Sequence, residues 1–257
     1  MAHGAILWAV VFFLGAAWGS FFYTLALRWA DGSFRESPWR ALATPSRCPA
    51  CASRIPLLRL IPALGFLIAR GRCNSCGVRI PAAYPLAELG YGALAVVVAL
   101  RLGVNAPGAV LFLVMGLAIA IAIIDAKTME IPLPLTLAFV ALSIYPIILT
   151  GSVRDTLLGF GIAAAFFVVM LLVFPGSFGG GDIKLAAAMG LLLGFELTIV
   201  MIETALVTGS VAGVIYAYRT KKGLRVRFPF APFLAAGLVV ALLFGRDIVL
   251  LYYRIMF

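Results

Sequence analysis

Residues 106–130 read APGAVLFLVMGLAIAIAIIDAKTME, and the fold turns on them. From Ala106 to Ile124 no side chain is charged, and the first ionisable group after that run is Asp125. An apolar helix of roughly 17–25 residues crosses a bilayer. The stretch therefore reads as a transmembrane helix that ends on a carboxylate.

Further runs of the same kind lie on either side, at about 5–28, 83–101, 132–150, 155–174, 183–195, 196–218 and 230–252. With 106–124 they predict eight spans, the sixth of them short and parted from the seventh only by Gly194-Phe195-Glu196. Hydrophobic residues make up 64% of the 257 and charged ones 12%. Soluble domains are nearer one half and one quarter, so the surplus apolar surface needs lipid as its solvent. Helices satisfy every backbone group within one segment, and the expected class is all-α and polytopic. Ala5 to Ala26 is span-length with no basic region before it, which predicts a membrane helix and not a cleaved signal. Gly116, Gly159, Gly161, Gly190, Gly209 and Gly213 fit close helix packing in lipid.

Charge supplies the orientation. Twenty Lys and Arg face ten Asp and Glu. In a soluble chain that excess points to nucleic acid, but here its placement relative to the spans is the better reading, and no nucleic-acid partner is expected. With 28–82 placed in the cytoplasm and the spans alternated, sixteen cations fall inside, among them the short basic loop Arg219 to Arg227. Only Arg101, Arg154, Arg246 and Arg254 fall outside. Asp125 and Asp182 then share the cytoplasmic side. The division expected is a first span (1–28), a cytoplasmic cysteine domain (29–82) and a transmembrane domain (83–257).

All four cysteines fall in the middle segment, as Cys48-Pro-Ala-Cys51 and Cys73-Asn-Ser-Cys76 with twenty-one residues between the pairs. Two C-x-x-C knuckles, with Pro49 and Gly77 suited to their turns, predict a closed four-sulfur zinc site that is structural. A segment with so little core needs such a staple. Two disulfides or a redox pair are the competing readings, and a cytoplasmic position disfavours the disulfides.

Asp182 follows Gly179-Gly180-Gly181 and precedes an apolar run. A carboxylate beside a span is costly and is by default a functional candidate, against the alternative of a boundary residue or helix N-cap. Two of them on one side suggest a pair that shares a proton, one activating water and the other polarising a carbonyl. Glycines without Cβ can take positive φ and admit a substrate strand. The substrate candidates are Gly179, Gly180, Gly181, Lys184 and Glu88. Lys184 reads better as a snorkelling lysine, and Glu88 equally as a receiver of a basic leader, with Glu36 and Glu130 on or near the same face, or as a helix-dipole partner.

These residues carry a family resemblance. Gly179-Gly180-Gly181-Asp182-Ile183-Lys184-Leu185 resembles the G-x-G-D region of prepilin peptidases, and Ile124-Asp125 with Ile131-Pro132 resembles their first catalytic motif. Gly19-Ser20-Phe21 with Arg28, the doubled C-x-x-C, Arg70 to Cys73, Tyr84 to Leu89 and Pro229 to Phe233 are similar in order along the chain. Departures stand at Tyr23, where Asn is usual, at Arg59-Leu60, where Asp-Asn is common, and at Leu133. The resemblance implies a bacterial inner-membrane aspartyl endopeptidase with Asp125 and Asp182 catalytic. It implies cleavage of type IV prepilins or pseudopilins on the cytoplasmic side, after a leader-ending glycine. It also implies N-methylation of the new N-terminus from S-adenosylmethionine. The rivals are a presenilin-like protease, which the cysteine domain argues against, and a zinc-stabilised scaffold or transporter with the aspartates as ion sites.

Overall fold

The computed structural model describes residues 2–48, 50–174, 178–220 and 228–256. Pro49, most of the basic loop (Lys221 to Arg227) and the side chain of His3 lie outside that description. Among the described residues all regular structure is helical, apart from two isolated antiparallel bridges. The chain forms two compact units, Met1–Asn105 and Ala106–Phe257.

The first unit contains α1 (Ala2–Ala30), α2 (Ser33–Glu36), α3 (Pro38–Ala43), a 3₁₀ turn (Leu57–Leu60), α4 (Leu64–Ile68) and α5 (Ala83–Leu102). The two long helices are apolar and meet through small residues. A Cβ on Gly15 would collide with Ala95, and one on Gly19 would stand 2.6 Å from Tyr91. Opposite them, Phe12 lies over Gly92 and Phe22 stacks on Tyr91 at 5.7 Å. In lipid there is little hydrophobic gain in helix association, so close backbone approach of this kind supplies the packing energy. The second span therefore belongs structurally with the first, across the boundary drawn at residue 82 from sequence.

The second unit contains α6 (Ala106–Thr128), α7 (Leu133–Thr150), α8 (Val153–Val173), α9 (Gly180–Thr220) and α10 (Ala231–Met256). α6 is buried along much of its length, with Val114, Met115, Ala118, Ile121 and Ile124 wholly inaccessible. On the periphery Leu172, Ile148, Val207 and Ile255 are largely exposed. Such broad apolar exposure is tolerable only against lipid.

α9 runs for 41 residues but is not one rod. Gly194 adopts φ 72° and ψ −174°, outside helical space. In an unbroken helix Asp182 and Gly209 would be about 40 Å apart. Yet Phe230 packs on Phe178 at 4.9 Å and also lies 3.0 Å from the Cβ position of Gly209. The element is thus a helical hairpin with arms 180–193 and 195–220 and no connecting loop. Thr198 Oγ1 donates to the Gly194 carbonyl at 2.5 Å, and Asp155 Oδ1 accepts from the Phe195 N–H at 3.0 Å, so both sides of the break are satisfied.

Six helices among the described residues are long and apolar enough to cross a membrane, and Leu133–Leu149 is a shorter apolar one. With α9 counted as two arms, the apolar helices follow the eight runs read from sequence. Glycines do much of the close packing here as well. Gly159 and Gly190 bring α8 against the first arm of α9, and Gly209 and Gly213 receive aromatic rings. Gly161 faces open space instead, so its assignment to a packing seam does not hold.

Candidate active site and metal centre

The cysteine cluster sits in the first unit. Its two knuckles repeat one backbone pattern. Cys48 N–H donates to the Ser53 carbonyl at 3.0 Å and Ala52 N–H to the Cys48 carbonyl at 2.9 Å; Cys73 with Val78, and Gly77 with Cys73, do the same at 2.9 Å each. The bridges Arg47–Arg54 and Arg72–Arg79 close the two turns. The residue after each second cysteine has positive φ, 54° at Ala52 and 70° at Gly77.

All four Sγ atoms lie within 4.8 Å of one another, with Cys48–Cys76 at 3.8 Å and Cys51–Cys73 at 3.9 Å. Tetrahedral zinc with Zn–S bonds of about 2.3 Å requires sulfurs about 3.8 Å apart. A disulfide requires about 2.05 Å, and all four cysteines are free. Backbone N–H groups of Cys76 and Ser75 draw the Cys73 thiol down to about 6. At Cys76 the Val78 backbone favours the thiolate, but desolvation and the crowding thiols of Cys51, Cys73 and Cys48 push it up to about 12. Four thiolates this close cannot all ionise without a cation among them, and the geometry fits a tetrahedral ion.

The aspartates sit in the second unit. Asp125 occupies the last turn of α6 and is 5% exposed. Its Oδ2 accepts the Ala231 N–H at 3.0 Å, so this carboxylate caps the N-terminus of α10, where the helix dipole favours negative charge. Pro232 follows Ala231 and suits a first helical turn.

Asp182 lies in the first turn of α9, where its Oδ2 accepts the Gly179 N–H at 2.8 Å while Gly179 O receives the Asp182 N–H at 3.1 Å. It is therefore the acid that reaches back to the helix start, and not the N-cap entertained from sequence. Asp125 is bonded beside Phe230, which packs on Phe178, and Ile131 touches Gly181, so both acids lie at one end of the second unit. Each carboxylate spends one oxygen on a backbone N–H.

The two motifs meet beside this pair. The Cβ position of Gly181 is 3.0 Å from the Ile131 side chain, so Ile131-Pro132 lies against the glycine run. Phe167, Phe178 and Phe230 form an aromatic wall, with centroids 4.9–5.7 Å apart. The contacts Asp155–Gly194 and Gly159–Gly190 set α8 antiparallel to the first arm of α9. On that register Asp182 is level with Phe167, and α8 continues about 9 Å beyond it at 1.5 Å per residue. The carboxylates are thus recessed below the helix end, among apolar side chains.

Three expectations need correction or addition. None of Gly179, Gly180 and Gly181 has positive φ; Gly180 and Gly181 already belong to α9, because the Gly179–Asp182 exchange starts the helix there. Of the three, only Gly181 is pressed by a side chain that a Cβ would meet closely. Asp155 was not singled out from sequence, and Ala231 stood only within the Pro229 to Phe233 motif; each takes part in one hydrogen bond between segments far apart, which no local pattern signals.

Of the remaining candidates, Lys184 is exposed, as is Lys127. Glu88 lies in the first unit, where its Oε2 accepts the Ala63 N–H at 2.8 Å. Tyr23 meets Tyr84 edge-on at 5.0 Å in the same unit.

Two family models match, one to each compact unit. Residues 13–102 match the bacterial peptidase A24 N-terminal domain, and residues 111–218 match the type IV leader peptidase family. Curated relatives agree along most of the chain. A prepilin leader peptidase/N-methyltransferase of Bacillus subtilis is 32% identical over 96% of this chain and 98% of its own. Proteins of the same description from Stutzerimonas stutzeri (33% identical, 80% of this chain, 74% of its own) and Aeromonas hydrophila (33%, 85% and 78%) are also similar. No solved structure gives a significant match. By motif, by both domains and by length, this chain belongs to the type IV leader peptidase family.

Proposed function

We propose that the protein is a membrane aspartyl endopeptidase that removes the leader of prepilin-like substrates, with Asp125 and Asp182 as the catalytic pair. The observation that carries this reading is the juxtaposition of two carboxylates at helix ends, each with one oxygen held by a backbone N–H and both recessed among apolar groups. One carboxylate takes a proton from water as the water attacks the scissile carbonyl; the other, protonated, donates to the carbonyl oxygen and the pair later protonates the leaving amine. The backbone N–H groups fix the carboxylates so that little reorganisation accompanies the charge movement.

Substrate enters with an extended segment across the start of α9. The N–H groups of a first helical turn lack intrahelical partners, so Gly180 and Gly181 offer donors to a substrate carbonyl, with Lys184 at the rim. Glu88 is the acidic group proposed for a basic leader. The excess of basic residues around the shared side of the spans supports placing the site at the cytoplasmic face of a bacterial inner membrane. The curated relatives also carry the description N-methyltransferase, and we extend a second reaction to this chain: methyl transfer from S-adenosylmethionine to the new N-terminus. Zinc held by Cys48, Cys51, Cys73 and Cys76 would be structural, tying the two knuckles where no core exists.

Cleavage of a prepilin-like substrate in membranes by wild type, Asp125→Asn and Asp182→Asn tests the pair. Cleavage by wild type alone is expected. Cleavage by either well-expressed variant would remove that residue from the mechanism. Transfer of labelled methyl groups to the cleaved product tests the second reaction separately.

A further inference from the structure

The segment between α1 and α5 carries an unusual surface. Residues 31–82 contain eight arginines, no lysine, and only Asp31 and Glu36 as acids. All of these arginines except Arg59 are exposed. The same segment exposes large apolar side chains: Trp39 on α3 at 82%, and Leu67 and Ile68 on α4 at 67% and 61%. In water so many apolar groups without partners would be a liability.

Their position in the fold shows what meets them. Arg28, near the end of α1, donates to the Ala41 carbonyl and, at 2.7 Å, to the Thr44 carbonyl. These bonds fasten the C-terminus of α3 to the end of the first span. Ala63, which immediately precedes α4, donates its N–H to Glu88 in the second turn of α5. Each exposed apolar cluster is therefore tied by a side-chain hydrogen bond to the end of a membrane helix. Both are thereby kept close to the ends of apolar helices, and around the end of a span hydrocarbon gives way to headgroups. Trp prefers that boundary. Arginine's planar fork suits phosphate oxygens, and a basic surface next to a span is drawn to anionic lipid.

We propose that the zinc-knuckle segment is seated on the membrane surface, with Trp39, Leu67 and Ile68 inserted at the acyl boundary and its arginines on anionic headgroups. The seat makes the segment part of the membrane interface, where the knuckles fix the arginines and the two tethers fix the depth. It rests on the transmembrane reading of α1 and α5 and is independent of the peptidase assignment.

The test uses the full-length protein in nanodiscs of phosphatidylcholine, with or without phosphatidylglycerol. Subtracting the emission of Trp39→Phe isolates Trp39. Brominated acyl chains are expected to remove most of that emission in the anionic discs and less in the zwitterionic ones, while aqueous acrylamide removes little. Arg40→Glu with Arg47→Glu should restore acrylamide access, with zinc content unchanged. Leu67→Trp in the Trp39→Phe background reports on α4 independently and should behave alike. Acrylamide quenching without bromolipid quenching in both discs overturns the proposal. So does shielding that appears only when a soluble acidic protein or RNA is added. Equal bromolipid quenching in the two compositions overturns the anionic component.

Discussion

The cysteine cluster and the aspartate pair are rigid for opposite reasons. The cysteines span 29 residues of chain, and their positions follow from two short turns whose hydrogen bonds are all local. What they lack is a core, and an ion at the four sulfurs would hold the two turns together. The aspartates come from helices whose carboxylates sit 57 residues apart in sequence, and Asp125 finds its backbone partner 106 residues on, at Ala231. Asp182 has a local partner in the Gly179 N–H, but nothing local brings the two acids together. Their geometry is inherited from α6, α9 and α10, packed through side chains that are almost all apolar. A metal-stapled site should fail when its ion is withdrawn. A packing-held site should fail when a helix seam is disturbed.

The comparison breaks most sharply at the acids themselves. Asp125→Asn or Asp182→Asn should lower cleavage by roughly 10²–10⁴-fold, and the double variant by little more, since the pair acts as a unit. Zinc content, read by metal analysis on the same preparations, should stay at wild-type level. Chelation, or Cys48→Ser with Cys73→Ser, should do the reverse. Limited proteolysis should open the segment 46–80, because structural zinc supplies its folding energy. Prepilin cleavage should fall by less than about tenfold if the second unit stands on its own packing. Equal collapse of both readouts would mean that the two sites share one stability.

Smaller changes sharpen the contrast. Gly181→Val presses on Ile131, already 3.0 Å from the Cβ position, and should cost about 1–3 kcal/mol by overpacking. Its signature is a cleavage defect with an unchanged zinc site. Asp155→Ala removes the acceptor for the Phe195 N–H at the hairpin break and should cost about 0.5–2 kcal/mol in thermal unfolding, Asp155→Asn less. The smallest effect is expected at Ala52, whose φ of 54° matches that of Gly77 without being glycine. Left-handed geometry costs an L-residue about 1 kcal/mol. Ala52→Gly should therefore slow zinc loss to a competing chelator and leave proteolytic activity alone.

The spans were legible because a 19-residue run without charge has few alternatives in a folded chain. The cysteine site was legible because spacing alone puts two thiols in one turn. The glycine run misled in part. Its lack of Cβ allowed positive φ, but the start of α9 uses Gly180 and Gly181 in ordinary helical geometry, and the glycine of α9 that takes positive φ is Gly194. Gly194 lies between the sixth and seventh apolar runs, where the eight-span reading already required the chain to reverse but did not show that the turn is made without a loop.

By itself, then, the sequence determined the membrane class, the approximate span count and the four-cysteine set, and it singled out the two acids proposed as the catalytic pair. Each of these follows from composition or from residues within a few positions of one another. Only the tertiary structure decided that Asp125 caps α10, that Ile131 rests on Gly181, that the reversal at Gly194 needs no loop, and that α5 pairs with α1. Helices apolar on every side carry no periodic stripe to say which face meets which neighbour. The choice falls to close packing of small residues and to single backbone hydrogen bonds, and those exist only once the helices are together.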